Sequence, residues 1–424
     1  MCVEINGEYI GDMSTADFPD SISSMSPVPS HVEPRLVYDF DFILAPLDTN
    51  EPQREIGRRL FAEAPEIFFT PRNGGHWVVT RSEVAVDMLR QSDLFSANPR
   101  HNPTRAFIPP LLPVQSDPPD HAEYRKVLGA FFAPGNMRKL EPDIRALAAT
   151  LIDSVVKKGG CEFIDEIGEV FPIVIFLRLV GADMEDRPKL LAMAQKFTRS
   201  PDPADRAAAI RELAAYLRVL LEERRSEPGG DILSRFLNSD FRGRPLHSHE
   251  TEGLSTLLFL GGLDTVKSVL SFIMLYLARN PDQFAKLVAD PSRIPAAIEE
   301  LIRINGVSVP ERGATGNFVY RGVRFCTDDR VIFLTPVMGF DDREIEEPEQ
   351  VNFERPVSPH LSFGAGHHRC AGSHLARIEI RVFLEEWAKR ISSFSLDEQC
   401  KVEMAQGVVW TPNRIYLKWE RAGS

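Results

Sequence analysis

One apolar segment limits the folds open to this chain more than any other feature. It runs from Gly253 to Ala278 and reads GLSTLLFLGGLDTVKSVLSFIMLYLA, long enough for one helix across a membrane or through a protein core. Asp264 and Lys267 lie near its middle, where a charged side chain in lipid is costly, and no basic flank sets an orientation in a bilayer. The segment therefore predicts a long helix buried inside a folded protein.

Composition and charge describe a soluble globular protein. The chain has 424 residues, of which 43% are hydrophobic and 26% charged, enough for a large buried core. Its formal charge of -12 argues against nucleic-acid binding, because attraction to phosphates needs clustered Lys and Arg. The five cysteines are odd in number and scattered, which argues against a disulfide framework and favours a reducing compartment. The acidic N-terminus has no long apolar run, so neither a signal peptide nor a membrane anchor is predicted, and a cytoplasmic protein is expected.

The pattern along the chain predicts a mainly α-helical protein with small peripheral β-sheets. Residues 1–34, rich in Ser, Pro and Asp, are expected to form a mobile tail, and residues 35–424 a single domain. Helical periodicity dominates from Asp120 to Arg225, whereas short β-like runs separated by turns follow Arg303. A last long helix is predicted from Cys370 to Arg390.

The most informative short segment is HLSFGAGHHRCAGSHLARIEI, from His360 to Ile380, where one cysteine lies among four histidines. A zinc site would need three or four suitably placed ligands, and no second cysteine is nearby. A nucleophilic cysteine would need an adjacent base, which a histidine could supply. Neither explains Gly364, Gly366 and Gly372, which let the backbone turn tightly and approach a partner closely. A thiolate held by backbone N–H groups beneath a flat partner is the third interpretation.

The spacing Phe363-x-x-Gly366-x-His368-x-Cys370-x-Gly372 resembles the haem-binding loop of the cytochrome P450 family. The resemblance covers most of the chain and implies the P450 fold, in which haem b lies between a long oxygen-activation helix and the helix behind the cysteine. It implies that the Cys370 thiolate is the axial ligand of the haem iron. It also places other loop residues beside the cofactor: Phe363, Gly364, His368 and Gly372.

A second motif lies in the long apolar segment. GGLDT, which ends at Thr265, resembles the family's oxygen-activation motif. The resemblance implies that Gly261 leaves room for dioxygen beside the haem and that Asp264 and Thr265 are the catalytic pair that relays protons. Taken alone, Asp264 would more simply be a capped or salt-bridged aspartate on a helix.

A third motif, Glu300-Leu-Ile-Arg303, matches the E-x-x-R of the family. Glu and Arg three residues apart share one helical face and are common on any helix, so the pair by itself indicates little. Its position between the oxygen-activation motif and the cysteine loop is the order that the family has. The resemblance implies a structural ion pair with Arg355 as a third partner.

The resemblance also assigns basic residues to the two haem propionates. The segment from His121 to Arg125 resembles the H-x-x-x-R of bacterial members, and by similarity Arg312 and His368 complete the set. Carboxylates buried at one edge of a porphyrin need cationic partners, which Arg supplies in bidentate geometry. For each of these residues the alternative is a charge on the solvated surface.

The residues expected around the substrate are almost all apolar: Phe107, Ile108, Leu257, Leu260, Val307, Ser308, Val408 and Val409. Two of them lie in a Pro-rich irregular segment from Phe95 to Pro119, which is expected to be a lid or a pocket wall. The chain most resembles the camphor hydroxylase group of soluble bacterial P450s, in which a tyrosine of this segment binds the substrate ketone. No tyrosine lies in the segment here, so a compact terpenoid or norisoprenoid other than camphor is expected. Any one of these residues could instead belong to the ordinary core.

Together the motifs predict a haem-thiolate monooxygenase that hydroxylates a small apolar substrate with O2. No G-x-G-x-x-G follows a predicted strand, so electrons are expected from a [2Fe–2S] ferredoxin fed by a flavin-dependent reductase. The protein is expected to be a monomer without nucleic-acid or membrane partners. A peroxide-driven peroxygenase and a non-catalytic haem-thiolate sensor are the alternatives, and neither needs the acid-alcohol pair Asp264 and Thr265.

Overall fold

The computed structural model describes residues 3–5, 8–10, 25–43, 51–102, 109–200, 202–356, 360–399 and 401–420. Helices form most of this part of the chain, which confirms the predicted mainly α fold. Their bounds are α1 (Pro52–Glu63), α2 (Ser82–Arg90), α3 (Asp120–Phe132), α4 (Pro134–Arg138), α5 (Glu141–Val156), α6 (Val170–Val180), α7 (Arg187–Arg199), α8 (Pro203–Ser226), α9 (Ile232–Leu237), α10 (Ser248–Leu263), α11 (Thr265–Arg279), α12 (Pro281–Ala289), α13 (Ile294–Ile304), α14 (Thr335–Met338) and α15 (Ser373–Arg390).

The strands are short and lie at the periphery. Their bounds are β1 (Val3–Ile5), β2 (Glu8–Ile10), β3 (Ile67–Thr70), β4 (His76–Val79), β5 (Phe95–Ser96), β6 (Gly160–Glu162), β7 (Asp240–Phe241), β8 (Arg244–Pro245), β9 (Glu311–Ala314), β10 (Phe318–Tyr320), β11 (Val323–Phe325), β12 (Arg330–Phe333), β13 (Ser395–Leu396), β14 (Glu403–Ala405), β15 (Thr411–Arg414) and β16 (Tyr416–Lys418). The largest sheet has the order β3-β4-β12-β9-β5, in which β4 and β12 are parallel and the other pairs antiparallel.

Two hydrophobic cores hold these elements together. The larger one lies among the helices, where α15 packs lengthwise against α5 and α11 packs against α10 and α6. The smaller one lies between the five-stranded sheet and α2, and it contains Trp77, Met88 and Phe333. All residues of β3 and β4 are buried, because this sheet is covered on both faces. The cysteine loop, α3 and the middle of the apolar segment all contact the larger core, through Phe363, Leu128 and Leu263 respectively.

The long apolar segment is two helices and not the single helix that the sequence predicted. The break lies at Asp264, whose φ of -126° and ψ of -27° fall outside the helical region. Thr265 Oγ1 donates to the Gly261 carbonyl oxygen at 2.8 Å, a local side-chain bond that competes with the helical ladder. Gly262 lies two residues before the break. A Cβ on it would lie 2.2 Å from the ring of Phe176 in α6, so the glycine lets α6 pack closely against the end of α10.

The two halves of this segment lie in the protein core. Within the described residues, Ser248–Arg279 is the one helical stretch long and apolar enough to cross a membrane. Most of its apolar window is buried inside the protein, which agrees with the predicted burial. The interior position explains the apolar composition, because most side chains of the segment are removed from water.

The N-terminal segment packs against the large sheet from about residue 26. Ser26 N–H donates to the Pro71 carbonyl oxygen at 2.9 Å, and His31 Nε2 lies 2.9 Å from an Asp329 carboxylate oxygen. Val32 is buried in the smaller core. The packed part of the chain therefore begins before the predicted boundary at residue 34, while the division into a tail and one domain stays a prediction.

Candidate active site

The cysteine loop is closed by its own backbone. Cys370 N–H donates to the Phe363 carbonyl oxygen at 2.9 Å, and Gly364 N–H donates to the Leu361 carbonyl oxygen at 2.8 Å. Helix α15 then begins at Ser373 with Gly372 as its N-terminal flanking residue, three residues later than predicted. The later start leaves Cys370 outside the helix, as a free thiol of the loop.

Gly366 is required by this loop for two separate reasons. Its φ is +64°, in the left-handed region that other L-residues adopt only at a cost. A Cβ there would also lie 2.5 Å from the Leu89 carbonyl oxygen at the end of α2. The loop can therefore lie against α2 only with glycine at this position.

Positive charges surround the Cys370 thiol. Burial raises the pKa of the thiol, while the Gly372 N–H and the Arg125 guanidinium act in the opposite direction. Arg125 Nη2 donates to the Arg369 carbonyl oxygen at 2.7 Å, which ties α3 to the residue next to the cysteine. Behind the loop, the Arg377 guanidinium lies 4.5 Å from the centre of the Phe363 ring. Burial outweighs these positive groups and the pKa of the thiol is raised, so a thiolate at this position needs a bound cation as its partner.

The structure brings together the basic residues predicted to bind propionates. The His121 and His368 ring centres are 4.2 Å apart. Burial and the Arg125 charge lower the pKa of His121 to about 4, and burial and the Arg312 charge lower the pKa of His368. His121 Nε2 is buried and has no hydrogen-bond partner among the described residues. This concentration of donors suits an anionic group.

The histidine next to His368 joins the same cluster, although the motif assigned it no role. The His367 and His121 ring centres are 6.2 Å apart. The His367 charge is also one of the causes that lower the pKa of both neighbouring imidazoles. The sequence shows that His367 follows Gly366, but it does not show that the His367 side chain approaches α3.

The helix break exposes one polar side chain and buries another. Thr265 is half-buried, with its hydroxyl bonded to the Gly261 carbonyl oxygen. Asp264 is fully buried and accepts hydrogen bonds from Thr198 Oγ1 at 3.0 Å and from Arg199 Nη2 at 2.8 Å. Thr198 and Arg199 end helix α7 and were not predicted to belong to the site. A buried acid in an apolar segment signals that partners exist, but not where in the sequence they lie.

Glu300 and Arg303 of the E-x-x-R motif form a buried ion pair, and Arg355 is its third member. Arg303 donates to both Glu300 oxygens at 2.7 Å, and Arg355 Nε donates to Glu300 Oε1 at 3.1 Å. Arg303 also donates to three backbone carbonyl oxygens in the segment from Gly339 to Gln350. Although burial raises the pKa of Glu300, the hydrogen bonds from Arg303 outweigh it and the pKa is lowered. The cluster joins α13 to the irregular segment that precedes the cysteine loop.

Six of the eight predicted pocket residues lie in described parts of the chain. The segments that contain Val307 and Val409 run side by side, since Trp410 N–H donates to the Val307 carbonyl oxygen at 2.9 Å. Ser308 is paired with Val409 in an isolated bridge, and Val309 N–H donates to the Val408 carbonyl oxygen at 3.0 Å. On α10, Leu260 is buried and Leu257 half-buried. The other two predicted residues, Phe107 and Ile108, lie outside the described residues.

Comparisons with known proteins agree with the geometry. A family model described as Cytochrome P450 matches residues 182–419. The chain is 31% identical over 407 residues to the probable cytochrome P450 127A1 of Sinorhizobium fredii, covering 93% of this chain and 97% of the relative. It is 30% identical over 336 residues to a steroid C26-monooxygenase of Mycobacterium tuberculosis, covering 77% and 90%. The crystal structure of CYP101J2 matches with a TM-score of 0.83 at 34% identity, covering 93% of this chain and 100% of that one.

The residues present fit the haem that the resemblance implies. Cys370 offers a thiol that is not engaged in a disulfide, and thiolate is one of the ligands that haem iron accepts. The unpartnered His121 Nε2 and the neighbouring arginine charges suit the propionates. A Cβ built on Gly261 or on Gly364 would meet nothing within 4 Å, so the backbone leaves room on both segments that the motifs assign to the cofactor.

Proposed function

The chain belongs to the cytochrome P450 family and is a haem b monooxygenase, and we propose that it hydroxylates a compact apolar substrate with electrons from a [2Fe–2S] ferredoxin. The proposed substrate class is a terpenoid or norisoprenoid. The observation that carries the proposal is the cysteine loop, in which a free thiol is held by backbone bonds beside a basic cluster whose His121 Nε2 has no hydrogen-bond partner among the described residues. Zinc binding and nucleophilic catalysis need neither the glycines of the loop nor that cluster.

The chain's own residues would bind and orient the cofactor. Haem, when bound, supplies dioxygen binding and the oxidation of an unactivated C–H bond. Cys370 would hold the iron through its thiolate. Arg125, Arg312 and His368, with His121, would hold the propionates, and the charges of the two arginines would offset the cost of burying two carboxylates. Glu300 and its two arginines would keep the segment before the cysteine loop in place.

Two side chains at the helix break would handle protons. The Thr265 hydroxyl is half-buried and bonded to the Gly261 carbonyl oxygen, so it can rotate toward a neighbouring acceptor by giving up one local bond. Asp264 is held by Thr198 and Arg199, and it would have to leave them before it could exchange a proton near Thr265. We infer that proton delivery depends on how firmly Asp264 is held.

The expected substrate follows from the walls of the pocket. Leu260, Val307 and Val409 are buried apolar residues, and Ser308 is the one hydroxyl of the predicted set. Apolar walls bind through area removed from water and reject an unpaired polar group weakly. Without a tyrosine between Phe95 and Pro119, no phenol hydroxyl from that segment can orient a ketone. These features support a compact hydrocarbon-rich substrate rather than camphor.

An external electron donor is proposed because the sequence contains no dinucleotide-binding motif that follows a strand. Exposed arginines flank the cysteine loop: Arg369 is next to Cys370, and Arg90 ends α2 where it meets Gly366. Such charges suit an acidic ferredoxin, and association should therefore weaken as salt is raised. We propose a flavin-dependent reductase upstream of that ferredoxin, a monomeric state and a cytoplasmic location.

A spectrum tests the ligand assignment. The reduced, CO-bound protein should show the absorption of thiolate-ligated haem, and Cys370→Ala should abolish it. The matched control is Cys326→Ala, which removes another free thiol that lies outside the loop and should leave the spectrum unchanged. Loss of the signal in the control, or its survival in Cys370→Ala, would contradict the assignment.

Product formation per NADH tests the proton assignment. Thr265→Ala should lower the yield of product per NADH by about tenfold or more, because an acid-base group typically contributes that much or more. The control is Thr256→Ala on α10, which loses a comparable 2.8 Å bond from its hydroxyl to the Glu252 carbonyl oxygen. If both variants couple as well as the native protein, Thr265 has no role in proton delivery.

A ligand screen separates the candidate functions. Terpenoids, norisoprenoids and steroids would be compared for their effect on the spin state of the ferric protein; steroids are included because one relative is a steroid C26-monooxygenase. Terpenoid conversion with NADH, reductase and ferredoxin supports the proposal. Conversion with peroxide alone would indicate a peroxygenase, and binding without conversion a sensor.

A further inference from the structure

Lys267 is a cation in a position that both the helix dipole and burial disfavour. It lies in the first turn of α11, and its side chain is 2% exposed. The N-terminus of a helix is its positive end, so a positive side chain there is repelled. Removal of an ammonium group from water adds a further cost. An apolar residue would avoid both the repulsion by the helix dipole and the desolvation cost. The presence of a lysine here therefore indicates that its charge has a function.

Lys267 is held between two carboxylates. Its Nζ donates to Glu169 Oε2 at 3.1 Å and lies 4.0 Å from Asp264 Oδ1. Glu169 precedes the first turn of α6, where a negative charge is favoured, and Gln195 Nε2 also donates to it at 3.4 Å. Glu169 thus fixes the ammonium group close to the buried Asp264.

Asp264 is therefore flanked by two cations that belong to different parts of the fold. Arg199 comes from the last turn of α7. Its Nη2 donates to Asp264, and its Nη1 donates to Asn413 Oδ1 of β15 at 3.1 Å. Lys267 comes from the same helical segment as Asp264, three residues later. Any displacement of Asp264 away from Arg199 leaves Lys267 close by, because the two share one backbone.

We propose that Lys267, fixed by Glu169, is a positioning residue for Asp264. This deepens the proposed function, because it rests on Asp264 as the proton-handling acid. Lys267 offsets the buried charge from a direction different from Arg199, so that Asp264 can loosen its bonds to α7 without becoming an unpaired anion in the core. The same contact keeps the helix break at Asp264 in one arrangement.

Hydrogen exchange in the haem-loaded protein tests this without substrate. Lys267→Met keeps the length of the side chain and removes the charge, and we expect about tenfold faster exchange of the amides from Asp264 to Ser268. Lys267→Arg should restore slow exchange. The control is Lys158→Met, which removes an exposed Lys–Glu pair with Glu166 and should have no effect at the break.

A double-mutant cycle separates positioning from general stabilisation. In an Asp264→Asn background, Lys267→Met should change exchange at the break by less than twofold, because the carboxylate that it positions is gone. An equal effect in both backgrounds would overturn the proposal, since Lys267 would then stabilise the fold independently of Asp264. This result does not depend on the identity of the substrate.

Turnover gives the functional arm of the same cycle. Lys267→Met and Glu169→Gln should each lower product per NADH about tenfold while the substrate dissociation constant from the spin shift stays within about twofold. Native coupling in Lys267→Met would overturn the positioning role. Absence of product from the native protein would instead refute the proposed monooxygenation of this substrate class, and the exchange cycle would still decide whether Lys267 positions Asp264.

Discussion

Replacing Gly366 by alanine should destabilise the cysteine loop by an amount that the structure allows to be worked out. The residue has a φ of +64°, and its Cβ would lie 2.5 Å from the Leu89 carbonyl oxygen. Gly74 has a φ of +86° with nothing within 4 Å of a built Cβ, so Gly74→Ala is a matched control that carries the backbone cost alone. The difference between the two variants isolates the steric contact.

The left-handed backbone costs an alanine about 1–2 kcal/mol in either variant. In Gly366→Ala the contact is about 0.9 Å shorter than the 3.4 Å at which ordinary contact begins. The atom that this Cβ would meet is a backbone carbonyl oxygen, so the loop or the end of α2 must move. Such overpacking typically costs a further 1–3 kcal/mol, roughly. We therefore expect a loss of about 2–5 kcal/mol for Gly366→Ala and about 1–2 kcal/mol for Gly74→Ala.

Urea unfolding of the haem-loaded proteins, followed by far-ultraviolet circular dichroism, measures both losses. The haem absorption band should disappear at lower urea in Gly366→Ala than the circular dichroism signal, because the strain is next to the axial ligand. If the two variants differ by less than about 0.5 kcal/mol, α2 and the loop separate without cost and the reasoning is refuted.

Three further outcomes are expected. Arg303→Met should lower the free energy of unfolding by about 3–5 kcal/mol, because Glu300 is left buried without its bidentate partner; a loss below about 1 kcal/mol in urea would contradict this. Because burial lowers the pKa of His121 from 6.5 to about 4, the unfolded chain takes up this proton at a higher pH than the folded one. The haem-free protein should thus lose stability as pH falls through that window, and His121→Gln should lose less by the same assay; an unchanged pH slope would exclude this role. Tyr124→Phe should cost about 1.5–3 kcal/mol in thermal or urea unfolding, since the phenol donates to buried Glu250 at 2.7 Å, and a neutral result would show that water replaces it.

The motifs of the site could be predicted because each one is local in sequence. The glycines around Cys370 and the acid-alcohol pair at Asp264 and Thr265 specify backbone turns and side-chain chemistry over a few residues. The fold class followed from helical periodicity and from one apolar segment that had to be buried. The start of α15 was misplaced by three residues, because the pattern does not distinguish the cysteine loop from the first helical turn.

The break at Asp264 could not be predicted from the pattern of the apolar segment. Apolar residues continue on both sides of GGLDT, and no Pro marks an end. The break depends on the Phe176 ring packed against Gly262 and on the α7 side chains that hold the Asp264 carboxylate. These contacts join residues about 60 to 90 positions apart, which hydrophobic periodicity does not encode.

The sequence by itself determined the ligand chemistry, the burial of the apolar segment and the order of the motifs, because all three depend only on residue type and on spacing along the chain. Only the tertiary structure decided which charges meet Asp264 in the core: Arg199 from the end of α7 and Lys267 from its own helical segment. A buried charge makes a partner necessary, but the packing of helices from distant parts of the chain selects that partner.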